Sequence, residues 1–250
     1  MSMATRTEAA SPKMAEVSPT TVRTKFYVHA QTIARTALAE SFIGGIFGEP
    51  GTGKTTAIKD FIASSGIPSV YIPTAVLPQR KEIYEEILLG TVGSYTAKAT
   101  SRELRRECEE VLRASRWIVV IDECHNLRNL WHQQLRGLHD QGNFCLLLVG
   151  SSDAAENLKR DGQLWSRVKV SMRFDVLSGD ELINTLRAMH PALANTDRSL
   201  LEEIDRRDCR GNLRNWSAIL EIALPLLANT TTPDRLSQRV VAGVLLQRMH

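Results

Sequence analysis

Two apolar spacings take turns along this chain, and each change of spacing marks a change of element. From Phe26 the positions Phe26, Ala30, Ile33, Ala34, Ala37 and Leu38 recur at helical spacing, which predicts an amphipathic helix with one buried face. Residues 43–47 form instead a short unbroken apolar run ending in a glycine-rich stretch, the pattern of a buried strand. A helix is expected over residues 53–64 and a second strand over 69–72, closed by Pro73 and Pro78. Two polar amphipathic helices follow at 80–90 and 101–115, with a Gly/Ser/Thr-rich turn between them. Residues 117–121 are apolar on both faces, as a central parallel strand must be. A helix at 127–140, a strand at 144–149, a short helix and a strand at 169–174 complete the series.

Strands alternating with helices imply right-handed crossovers and a parallel sheet covered on both sides. After Val176 the strand signal ends and four helices are expected, at 178–189, 198–207, 212–227 and 234–248. Asp180, Asp197 and Asp234 stand near their starts as caps or first-turn acids, and Pro191 and Pro233 punctuate the gaps. The fold class is therefore α/β: a parallel five-stranded sheet between helices, followed by a small all-helical domain. The expected divisions are a disordered tail at 1–21, a nucleotide-binding domain at 22–176 and a helical lid at 177–250.

Composition changes this picture little. The chain has 250 residues, 43% apolar and 24% charged, with a net charge of +3, so contact with phosphates is permitted but not argued for. Cys108, Cys124, Cys145 and Cys209 are scattered without a Cys-x-x-Cys pair, which reads as reduced thiols in a cytoplasmic protein. No apolar run approaches the roughly 20 residues that cross a bilayer, and the N-terminus lacks the apolar core of a signal peptide. No membrane partner is expected.

The chemistry concentrates at two strand ends. Gly48-Glu49-Pro50-Gly51-Thr52-Gly53-Lys54-Thr55, with Thr56 next in line, matches the phosphate-loop pattern G-x-x-x-x-G-K-[ST]. Its glycines let backbone N–H groups wrap phosphates, and the helix that follows points its positive end at the same anion. Lys54 is expected to reach the β- and γ-phosphates of ATP, and the Thr55 hydroxyl to bind Mg²⁺. The strand at 117–121 ends in Asp122 and Glu123. Asp122 suits the magnesium shell, and Glu123 suits a base that polarises water for attack on the γ-phosphate. His125, beside this pair, has no second ligand at metal spacing other than Cys124, so no further metal site is expected there.

The loop from Gly48 to Thr55, the segment Asp122-Glu123-Cys124-His125-Asn126-Leu127 and the helical tail together resemble an AAA+ ATPase. Within that family the chain resembles the initiator-like group that includes the DNA-transposition regulators TnsC, TniB and phage Mu B protein, and it is similar to ExeA-type secretion ATPases. The resemblance covers residues 22–228 and implies further roles. A polar first sensor falls in Leu148-Val149-Gly150-Ser151-Ser152; Ser151 is named here, with the choice between the two serines open. Gly211-Asn212-Leu213-Arg214 resembles the second sensor, so Arg214 is expected to contact the γ-phosphate. Leu164-Trp165-Ser166-Arg167 resembles the position of an arginine finger supplied to a neighbouring subunit, with Arg160 in reserve.

The segments after strands two and three carry Arg80, Lys81, Lys98, Arg102, Arg105, Arg106 and Arg128. In an oligomer of this family such positions can face double-stranded DNA, and Arg80, Lys81, Lys98 and Arg102 are the expected contacts. Interleaved glutamates also fit a solvated helix laced by i,i+4 ion pairs, so charge pattern alone does not establish DNA binding. Aromatics are sparse there apart from Tyr84 and Tyr95, so base stacking is not indicated. The expected function is an ATP-hydrolysing regulator of transposition that assembles on target DNA, as a ring or a helical filament, and recruits or stimulates a transposase. Compact length and the lack of a membrane segment or large C-terminal appendage favour it over a secretion ATPase. Glu123 argues against a slow signalling switch, and a helicase loader is the remaining rival.

Overall fold

The computed structural model of the chain describes residues 19–74, 82–127 and 129–248. They divide into two compact units: Lys25–Asp175, and a second formed by Val176 onward together with residues 19–24.

The first unit runs α1 (Lys25–Ala39), β1 (Ile43–Gly48), α2 (Lys54–Ser65), β2 (Ser69–Pro73), α3 (Glu82–Val92), α4 (Ser101–Ala114), β3 (Ile118–Asp122), α5 (Asn129–Gln141), β4 (Cys145–Gly150), α6 (Ser152–Asp161) and β5 (Val168–Phe174). All pairings are parallel, in the order β2-β3-β4-β1-β5, which the sequence pattern did not specify. Side-chain alternation along β3 and β4 builds two cores at once. Val119, Ile121, Leu146 and Leu148 pack with apolar residues of α3, α4, α5 and α6. Ile118, Val120, Leu147 and Val149 pack with those of α1 and α2. A strand that feeds both cores must be apolar throughout, and all five residues of β3 are buried, Asp122 among them.

This topology sets the site. β1 and β3 flank β4, with Phe47 opposite Gly150 and Ile121 opposite Leu148, so the loop after β1 and the acid ending β3 emerge along the same sheet edge. Ligands of open parallel sheets bind outside the carboxyl ends of the strands, where successive connections diverge. β3 ends one residue later than its apolar run, at Asp122, and a short 3₁₀ turn at Cys124–Asn126 precedes α5.

The second unit contains α7 (Gly179–Met189), α8 (Pro191–Ala194), α9 (Arg198–Ile204), α10 (Leu213–Leu227) and α11 (Gln238–Arg248). Three details depart from expectation. Pro191 opens the short helix α8 instead of filling a gap, since proline fits a first helical turn where its missing N–H costs nothing. The helix expected to reach 207 ends at Ile204 and passes into a π-helical segment, Asp205–Cys209. Asp234 lies ahead of α11, in a stretch tied to the α8–α9 corner: Asn195 Nδ2 donates to the Asp234 carbonyl at 3.2 Å, and Leu236 N–H to Thr196 Oγ1 at 2.9 Å. Thr20 N–H donates to the Met189 carbonyl at 2.9 Å; most of the tail expected at 1–21 lies outside the described residues.

Candidate functional site

The loop between β1 and α2 is shaped by close approach. A Cβ at Gly48 would stand 2.0 Å from the Phe174 carbonyl oxygen on β5, so no other residue fits without moving that strand. Thr52 Oγ1 donates to the Glu49 carbonyl at 2.9 Å and ties the loop across its width. Lys54 is buried, and its ammonium donates to the carbonyls of Gly48 at 2.9 Å and Glu49 at 2.7 Å. Glu49, Pro50 and Thr56 are exposed. The helices α4, α6 and α10 begin on side-chain caps from Thr100, Ser151 and Asn212, whereas α2 begins on Gly53 with none. Uncapped N–H groups and the helix dipole both favour an anion at that end.

Across the sheet edge, Asp122 meets this loop. Its Oδ2 accepts the Thr55 hydroxyl at 2.9 Å and also the Tyr71 hydroxyl from β2, while its Oδ1 accepts the Glu123 N–H at 2.8 Å. Burial, then the Asp122 carboxylate, push the Tyr71 phenol well above its usual range, so it stays a proton donor. Thr74 reaches the carbonyls of Asp122 at 2.9 Å and Glu123 at 2.6 Å. Glu123 has a left-handed backbone, φ 56° and ψ 37°, and a half-exposed side chain with Oε2 3.3 Å from His125 Nδ1. An ammonium, a string of glycine-loop amides and the hard oxygens of Thr55 and Asp122 are a donor set that fits a magnesium–triphosphate.

The remaining expected residues are dispersed. Ser151 caps α6, with Oγ accepting the Ala154 N–H at 3.2 Å, which leaves its own proton to donate. The neighbouring Ser152 Oγ is buried with no partner among the described residues. Arg167 is clamped by Asp140 of α5 through Nε–Oδ1 at 2.9 Å and Nη2–Oδ2 at 3.3 Å, and this guanidinium holds the Asp140 carboxyl below the usual carboxylate range. Arg160 is exposed on α6.

Arg214 is exposed at the second position of α10, with no ion pair among the described residues. The turn that presents it is built on Asp205, whose Oδ1 accepts the Gly211 N–H at 2.7 Å and Trp216 Nε1 at 3.0 Å. A Cβ at Gly211 would lie 2.1 Å from the Leu177 carbonyl oxygen.

Lys98 is exposed in the turn before α4 and Arg102 in its first turn, whereas Arg80, Lys81 and Arg128 lie outside the described residues. Arg105–Glu109 and Arg106–Glu110 form the anticipated i,i+4 pairs, at 2.7 and 3.3 Å. Tyr84 is buried and Tyr95 packs against the core, so neither is presented for stacking.

Sequence reasoning named Lys54, Thr55, Asp122 and Glu123, which the fold brings together, and missed Tyr71 and Thr74. Their signal lies in sheet pairing alone, since Pro73 is opposite Asp122 in the β2–β3 register.

Residues 40–158 match the protein family described as an AAA domain. A "Potential ATP-binding protein" of Staphylococcus aureus is 33% identical over 64 residues, which span 26% of this chain and 24% of that protein. The Aeropyrum pernix ORC2 protein, in its ADPNP–ADP complexes, superposes with a TM-score of 0.67 at 16% identity, over 95% of this chain and 72% of that one. Drosophila ORC bound to DNA gives a TM-score of 0.69 at 14% identity, over 100% of this chain and 70% of that one. At these identities the structural likeness establishes the fold: an AAA+ P-loop NTPase, of the architecture seen in the ORC proteins.

Proposed function

We propose that this AAA-type P-loop protein is an ATP-hydrolysing regulator of DNA transposition, cytoplasmic, whose ATP-loaded copies assemble on duplex DNA and recruit or activate a transposase. The observation that carries the ATPase half is the convergence of Lys54, Thr55 and Asp122 on one sheet edge, with Thr55 and Asp122 hydrogen-bonded at 2.9 Å. Lys54 exchanges its loop carbonyls for β- and γ-phosphate oxygens, and residues Gly48–Thr56 enclose the triphosphate. Thr55 and Asp122 hold Mg²⁺, which supplies charge neutralisation on the phosphates. Glu123 leaves His125 to polarise the attacking water, and Ser151 orients it with its free proton. Arg214 senses the γ-phosphate, and Arg167 leaves Asp140 to act on a neighbouring copy.

The DNA half rests on the resemblance of the motifs to transposition regulators and on the initiator-type fold, one of whose members is known bound to DNA. Lys98, exposed in the turn ahead of α4, and Arg102, exposed in its first turn, are the proposed phosphate contacts, together with Arg80 and Lys81 earlier in the chain. No described helix is long and apolar enough to cross a membrane.

The test is duplex binding at low salt with a non-hydrolysable ATP analogue, followed by electron microscopy. Cooperative, sequence-tolerant, salt-sensitive binding that needs the analogue is expected, because counterion release scales with the phosphates neutralised. Lys54→Ala should abolish it by weakening nucleotide binding at least about a hundredfold. No duplex binding by the wild type would remove the transposition reading and leave an ATPase of another purpose. The transposase is then sought by its ATP-dependent association with the DNA-bound assembly.

A further inference from the structure

Asp122 is a buried anion whose carboxylate is gripped from both ends. Glu123 N–H holds Oδ1 at 2.8 Å, while Oδ2 receives two hydroxyls, one from Thr55 and one from Tyr71. Thr55 belongs to the phosphate loop's own helix, but Tyr71 comes from β2 at the edge of the sheet. The Tyr71 ring packs against the core formed with α1 and α2, and the Lys59 ammonium of α2 stands 5.0 Å from its centroid. The phenol is thus braced between the sheet and the helix that carries Thr55. A carboxylate turns easily about its terminal torsion, which has no sharp staggered wells. With Thr55 as the sole partner of Oδ2, the Glu123 amide on Oδ1 alone would resist that oxygen following the threonine hydroxyl when Thr55 turns to a ligand.

We propose that Tyr71 is a positioning residue of the nucleotide site: its hydroxyl holds the Asp122 carboxylate in the orientation that receives hydrated Mg²⁺. This inference rests on the reading of Asp122 as the magnesium-shell acid. Tyr71 touches neither metal nor nucleotide and acts through Asp122. Two consequences separate that role from a scaffolding one. Removing the hydroxyl should weaken the magnesium-dependent part of nucleotide affinity and spare the metal-free part. The effect should also vanish when Asp122 is already neutral.

The experiment uses the full chain, a fluorescent ATP analogue, and titrations in EDTA and in increasing Mg²⁺. Tyr71→Phe keeps the ring and its packing, and circular dichroism and a melting curve confirm the fold. In EDTA the variant should bind like the wild type. Its Mg²⁺ midpoint should rise on the order of tenfold, as expected for loss of a hydrogen bond to a charged group. Asp122→Asn should remove most of the magnesium-dependent gain, and adding Tyr71→Phe to it should change nothing more. An unshifted midpoint in Tyr71→Phe, with a clear shift in Asp122→Asn, overturns the role of Tyr71 alone. Equal weakening in EDTA and Mg²⁺ makes Tyr71 scaffold and overturns it as well. An unshifted midpoint in Asp122→Asn overturns the metal assignment itself and the inference with it.

Discussion

At the carboxyl ends of β1 and β3, charged groups are buried and each meets several partners. Lys54 has two carbonyls, and Asp122 has two hydroxyls and an amide. In the arginine-bearing segments the charges stand in solvent with few partners: Arg167 is clamped by Asp140, Arg106 pairs with Glu110, and Arg214 has no ion pair among the described residues. The difference is one of reach. A buried charge must be satisfied within its own chain, so its geometry is fixed and changes only when a ligand replaces its partners. An exposed arginine is bound weakly enough to exchange its partner for one outside the chain. The proposed function would use the first region to receive a small anion and the second to reach a neighbouring copy.

The sharpest way to break this comparison is to show that an exposed arginine matters more than the buried centre. Arg167→Ala should retain ATP binding and lose turnover on the order of 10³-fold, as for an arginine finger. Mixing it with Lys54→Ala subunits should restore some activity, and wild-type activity per subunit should rise with concentration. A flat concentration dependence without rescue means a monomeric enzyme. Next in size, Glu123→Gln should bind ATP and hydrolyse it about 10²-fold more slowly or worse, trapping the loaded assembly; normal turnover would place the base elsewhere.

Smaller effects sharpen the contrast. Asp205→Ala leaves the Gly211 N–H and the fully buried Trp216 indole without their acceptor, and should destabilise the protein by about 2 kcal/mol in a denaturant titration. A loss within experimental error would mean the turn before Arg214 is held by something else. At the bottom of the scale, Arg106→Ala should leave the melting midpoint unchanged, because its partner sits in water.

The same contrast explains what could be read from sequence. The alternating elements were legible because β3 and β4 must be apolar on both faces and the helices on one. The loop and the acid pair were legible because their chemistry is contained in contiguous residues. Tyr71 was not, since its contact with Asp122 spans 51 positions and arises from strand pairing. The strand order escaped for a similar reason: it depends on which strands become neighbours. Asp234 reads as a cap or first-turn acid in the sequence, yet the structure ties its backbone carbonyl to Asn195, 39 residues away.

Glu123 carries one more consequence. Its φ of 56° belongs to a region that L-residues enter at a cost of roughly 1 kcal/mol, and among the described residues just two other non-glycines, Ser41 and Arg210, share that sign. Thermal endurance alone would set glycine at position 123. A Glu123→Gly chain would be relieved of backbone strain and stripped of its proposed base in one step. Under the proposed role of Glu123, hardiness and turnover pull against each other at a single residue, and laboratory selection for heat tolerance without selection for activity should admit glycine there.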